Sequence, residues 1–176
     1  LRPEVWIRGT SFGSLVAAAI ARRRPLAGLL LIGGALSAES LTPSIRGLMH
    51  LASVLPLPTW QPLLRLPPVL SLAFGTLEPR HRQLIAAMLA ATPGALLREG
   101  SRLILHYRPS LPVLCPVHAI HGGADRLMRP PPLPQRRVIS RAGHALALTH
   151  ARAVTDFLNT VLAQPVRPAE TPAQPV

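Results

Sequence analysis

Apolar positions change their spacing along the chain, and the changes predict its elements. "EVWIR", residues 4–8, reads as a strand, and residues 12–24, "FGSLVAAAIARRR", read as a helix. That helix holds strong formers and puts three arginines in its last turn, where the macrodipole favours cations. Pro25 then stops it. Residues 26–34, "LAGLLLIGG", are continuously apolar and end on glycines, as expected of a strand buried on both faces of a parallel sheet. Strand, helix and strand make a βαβ unit.

Residues 38–110 follow a helical period instead, in three or four short segments separated by prolines. Strand-like runs return at residues 115–123, "CPVHAIHGG", and 136–141, "RRVISR". An amphipathic helix is expected over residues 148–162. Residues 164–176 form a proline-rich stretch that predicts a disordered tail. The organisation is α/β: a core from residues 1–37 and 111–163, a helical insertion over 38–110, and about four mostly parallel strands.

Composition narrows this picture. The 176 residues suit one domain with a real core, and 48% hydrophobic content argues against general disorder. The formal charge of +12 comes from 19 basic residues, every one an arginine. These arginines are scattered and aromatics are only 3%, so a dispersed positive surface is expected rather than a nucleic-acid stripe. The longest strongly apolar stretch is too short and too glycine-rich for a membrane span. Cys115 is the single cysteine, which precludes an internal disulfide and fits a reducing, cytoplasmic compartment. Its place at a predicted strand points to a buried structural thiol.

Gly9-Thr10-Ser11-Phe12-Gly13 matches G-x-S-x-G at a predicted strand-to-helix corner. A serine there would expose its hydroxyl from a strained backbone, with flanking glycines where strand and helix pass closely. The N–H of Phe12, at the helix start, would face a developing oxyanion. The alternative is an ordinary turn serine. An activated serine needs a base, and the base an orienting carboxylate. The chain has two aspartates. Asp125 lies just past a strand end, where α/β sheets place functional groups, whereas Asp156 falls on a helix face expected to be solvated. His144 follows the last strand beside Gly143, and His150 is its rival. His121 reads as a structural hydrogen-bonder or pocket wall, and His118 as core. His50, His81 and His106 lie in the insertion without a partner signature. No metal-ligand spacing is evident, and neither metal nor cofactor is expected.

The order Ser11, Asp125, His144 resembles that of the α/β-hydrolase superfamily, in its esterase/lipase-like group. "GTSFG" looks like the nucleophile elbow, "AIHGGADRLMRP" like the acid loop, and "SRAGHALALTHARAVTDFLNTVL" like the histidine loop and last helix. The resemblance spans residues 4–163. It implies a serine hydrolase cleaving a small-molecule carboxylic ester or similar acyl compound, with Ser11 as nucleophile, Asp125 as acid and His144 as base. It also implies Phe12, Gly9 and Gly13 at the oxyanion and substrate side, and residues 38–110 as a cap over the acyl pocket. The family's strands before the elbow, and the second oxyanion donor among them, are not matched. The chain is therefore expected to be an N-terminally truncated fragment, and a weakly active or inactive remnant serving as a binding module is the alternative. Between acid and histidine, "RLMRPPPLPQ" predicts an extended link where the family has a helix.

Overall fold

Among the described residues, four strands form a single parallel sheet whose spatial order follows the chain: β1 (Trp6–Thr10), β2 (Gly28–Ile32), β3 (Val117–Gly122) and β4 (Arg136–Ile139). The computed structural model describes residues 5–54, 61–75 and 77–165. The expected tail thus lies mostly outside the described residues, as does Glu4 of the first expected strand.

The continuous apolar run of β2 is explained by burial on both sides. Leu29 and Leu31 pack with Ala17, Ala18 and Ala21 of helix α1 (Phe12–Ala21) on one face. Leu30 and Ile32 meet Val154, Phe157 and Val161 of helix α7 (Ala151–Leu162) on the other. Each such side chain contributes about 1.5–3 kcal/mol when fully buried. Small alanines let α1 lie close to the sheet.

Between β2 and β3 the described residues are helical: α2 (Pro43–Val54), α3 (Pro67–Phe74), α4 (Pro79–Ala91) and α5 (Gly94–His106), with short 3-10 turns at Ala38–Ser40 and Gln61–Arg65. Pro43, Pro67 and Pro79 each open a helix, where a missing N–H costs nothing. Ile104 and Leu105 of α5 pack with Leu15, Leu41 and Met128. Leu70 of α3 and Ile85 of α4 pack with Leu77, Ala145 and Leu148, which places these two helices against the loop after β4.

Two helices differ from expectation. Helix α1 ends at Ala21, so the three arginines follow it instead of occupying its last turn. Arg22 is held elsewhere: its guanidinium donates to the carbonyls of Leu111 (2.8 Å) and Leu36 (3.2 Å) and to the Tyr107 hydroxyl (3.3 Å). The last expected helix is split into α6 (Leu146–Thr149) and α7, because His150 leaves helical geometry at φ −129° and ψ 41°. Cys115 is half-buried, and burial pushes its thiol up to about 11. Among the described residues no helix is long and apolar enough to cross a membrane.

Candidate active site

Parallel strands put all their C-terminal ends on one edge, and three sequence-distant side chains emerge there. Ser11 follows β1 directly, Asp125 follows β3, and His144 follows β4. Ser11 is the only non-glycine residue with positive φ among the described ones, at 51° with ψ −124°. This backbone region costs of order 1–3 kcal/mol and persists only where the surroundings impose it. Here they do. Ser11 N–H donates to the Ile32 carbonyl at 3.2 Å, and the Ser11 carbonyl accepts from Ser14 N–H at 3.0 Å.

Gly9 lets strand and helix meet, since a Cβ there would lie 2.3 Å from the Ser14 Cα. Gly13 does not need to be glycine for that reason. A Cβ on it would meet nothing within 4 Å among the described residues, so the crowding expected on both sides of the serine exists on one. Ser14 ties the corner to the neighbouring loop: its buried hydroxyl accepts from Ala35 N–H at 2.8 Å and reaches the Ser11 carbonyl. Ser14 is not among the residues expected at the site, and the signal for it in the sequence is a hydroxyl inside an otherwise apolar helix face.

Ser11 stands at the N-cap position of α1 but makes no side-chain cap. Its hydroxyl instead points at His144, with Oγ to Nε2 at 2.7 Å. His144 Nδ1 lies 2.8 Å from Asp125 Oδ2. An ionised carboxylate only accepts, so Nδ1 carries the proton and Nε2 is the acceptor for the serine O–H. The uncapped first turn of α1 leaves the Phe12 N–H without an intrahelical partner, at the positive end of the helix dipole.

Asp125 is completely enclosed, with 0% side-chain exposure. Burial alone would raise its pKa, but donors on both oxygens reverse the direction. Oδ2 accepts from His121 Nε2–H (3.1 Å) and His144 Nδ1–H, and Oδ1 accepts from the Leu127 and Met128 N–H groups (2.8 and 3.0 Å). These hold the carboxyl well below the usual carboxylate range. His121 is also fully buried, and its Nε2–H is shared with the Met128 carbonyl at 3.0 Å. It is therefore a partner of the acid, not a pocket wall.

The other candidates are placed elsewhere. His150 Nδ1 sits 2.9 Å from the Thr149 hydroxyl. Asp156 faces solvent on α7. His118 is buried against Trp6, ring centroids 5.8 Å apart, and burial lowers its pKa. His50 and His106 meet edge to face at 6.4 Å. The link from β3 to β4 contains no helix, so the proline run crosses extended, as expected.

A cavity of about 400 Å3 opens above Ser11 and His144, walled by Phe74, Ile85, Met88, Leu89 and Leu148. Among the described residues, no arginine or carboxylate lines it. Phe74 lies against the His144 imidazole, ring centroids 5.9 Å apart, and shields its face from water. Gly143 permits this approach, since a Cβ there would lie 2.2 Å from the Phe74 carbonyl oxygen.

The parallel sheet, its helical crossovers and the strand-end corner define an α/β-hydrolase fold. Solved structures share it. An esterase from Exiguobacterium antarcticum superposes with a TM-score of 0.68 at 13% identity, over 92% of this chain and 67% of that one. A hydrolase from Oleispira antarctica gives a TM-score of 0.69 at 16% identity, over 92% of this chain and 66% of the other. An enol-lactonase from Burkholderia xenovorans gives 0.62 at 18%, over 89% and 66%. The chain thus spans about two thirds of the length of these structures. No protein-family model matches the sequence, and no curated protein matches it.

Proposed function

We propose that this chain belongs to a serine hydrolase that cleaves a carboxylic ester with an apolar, medium-sized acyl group. The observation that carries this reading is the unbroken hydrogen-bonded line from Ser11 through His144 to the buried Asp125, opening into an apolar cavity. Esterases and an enol-lactonase among the structural neighbours support an acyl–oxygen bond as the one cut.

In this mechanism Ser11 Oγ attacks the acyl carbonyl carbon and passes its proton to His144 Nε2. Asp125 holds Nδ1–H and offsets the imidazolium charge that forms. The carbonyl oxygen becomes an oxyanion and accepts from the Phe12 N–H. As the C–O bond breaks, the alcohol leaves with the proton from Nε2. Water then repeats the sequence on the acyl-serine, regenerating Ser11 and releasing the acid. Helices α2 to α5, residues 38–110, act as a cap, with Ile85, Met88 and Leu89 of α4 forming the acyl wall.

The test is labelling with a fluorophosphonate in the full-length protein. Modification of Ser11 is expected, and an unmodified Ser11 overturns the reading. A weakly active remnant is the second reading, favoured by β1 standing at the edge of the described sheet. Loss of one oxyanion donor typically costs ~100- to 1,000-fold in rate. Turnover of short p-nitrophenyl esters by the 176-residue chain at rates typical of complete esterases excludes it.

A further inference from the structure

The geometry points to a second binding site, for a small polyvalent oxyanion, in a cleft behind the histidine loop. The cleft measures about 640 Å3, and three arginines line it: Arg82 of α4, Arg126 in the loop after β3 and Arg141 after β4. They come from three separate chain segments, so no run of basic residues in the sequence announces them. Ser71 adds a hydroxyl, while Ala124 and Gly143 contribute the wall next to Asp125 and His144.

Among the described residues, no carboxylate lines this cleft. Two acids next in sequence to lining residues are paired elsewhere: Glu78 pairs with Arg80 at 2.8 Å, and Asp125 faces inward to two histidines. Among the described residues, none of the three guanidiniums has a hydrogen-bond or ion-pair partner. Three like charges lining one concave surface raise the local potential, and concavity focuses that field on an incoming anion. Guanidinium forks match the paired oxygens of phosphate and carboxylate groups. A molecule with two or more such groups has enough oxygens to engage arginines from more than one of these segments.

This cleft is distinct from the apolar cavity above Ser11. The close contact of Gly143 with Phe74 and Gly75 lies between them. An anion bound by Arg141 and Arg126 would bridge the loops that carry His144 and Asp125. Its binding is measurable without any turnover, so it stands or falls separately from the proposed hydrolysis.

Calorimetric titration with pyrophosphate and, separately, citrate at near-physiological salt tests the site. One saturable equivalent per chain is expected. R126E and R141E should each weaken it about tenfold or more, as loss of a charge-assisted contact does. R24E, an exposed arginine beyond the opposite end of α1, should leave it unchanged. Should either reversal disturb the fold by circular dichroism, R126Q and R141Q carry the same comparison. Binding of pyrophosphate alone assigns phosphate groups, citrate alone assigns carboxylates, and both together assign the shared chemistry. Unsaturable uptake, or equal weakening by R24E and R126E, overturns the site and leaves only the general field of a +12 protein.

Discussion

Ser11 Oγ and His144 Nε2 lie 2.7 Å apart across 133 residues of sequence. The contact diverts the hydroxyl from capping α1, although Ser11 holds the cap position. Capping of this kind is typically worth about 1 kcal/mol, which the helix forgoes here. The strained backbone of Ser11 is a second local cost, and both serve to present one oxygen at the cavity floor.

Substituting Ser11 separates these effects. S11A should abolish fluorophosphonate labelling and lower ester turnover by roughly a millionfold, as when a triad nucleophile is lost. S11G should be equally inactive but more stable than S11A by about 1–3 kcal/mol, because only glycine adopts φ 51° with ψ −124° freely. Urea denaturation of the two variants checks this. Equal midpoints would mean the corner is not strained.

For Asp125, D125N should keep the position but upset the His144 tautomer, lowering kcat by about ten-thousandfold. Stability gives an independent readout. The folded carboxyl has its pKa held below the unfolded value of 3.8. Its contribution is therefore fully present above that value and is lost as pH falls towards the folded one. The stability gap between wild type and D125N should be widest above about pH 5 and shrink on acidification. A gap that widens on acidification would contradict the geometry.

His121 supports Asp125 without reaching the cavity. H121L removes the donor to Oδ2 and should cost about 1–3 kcal/mol in stability. It should also lower kcat while leaving KM for a short ester nearly unchanged. H121Q, which retains an N–H donor, should recover part of kcat. If H121L and H121Q match in kcat, His121 serves packing alone.

Under the proposed hydrolysis, the cavity walls set acyl size. L148W should shift the preference among p-nitrophenyl butyrate, octanoate and palmitate towards the shorter esters by filling the space beside Leu89 and Phe74. Relative kcat/KM across the three substrates measures it. An unchanged ranking would move the acyl site elsewhere.

Cys115 should resist alkylation in the folded protein. With its thiol pushed up to about 11, roughly one in a thousand is ionised at pH 8. N-ethylmaleimide should label it readily only after denaturation, read by intact-mass spectrometry.

Much of the sheet was legible because burial on both faces demands apolar residues at every position, as "GLLLI" of β2 shows. The elbow was legible because a serine at a strand-to-helix corner needs a particular local chemistry. Helix ends were less so. The end of α1 at Ala21 goes with contacts made elsewhere, such as the distant carbonyls that hold the Arg22 guanidinium.

What the chain determined by itself was the alternation of elements and the residue types placed after β1, β3 and β4, since these follow from local periodicity and turn chemistry. The closing of His144 onto Ser11 at 2.7 Å, the enlistment of His121 behind Asp125, and the gathering of Arg82, Arg126 and Arg141 were decided only in the tertiary structure. The reason is physical: hydrogen bonds and fields act through a few ångströms of space, and only the packed parallel sheet brings those separate loops within that range.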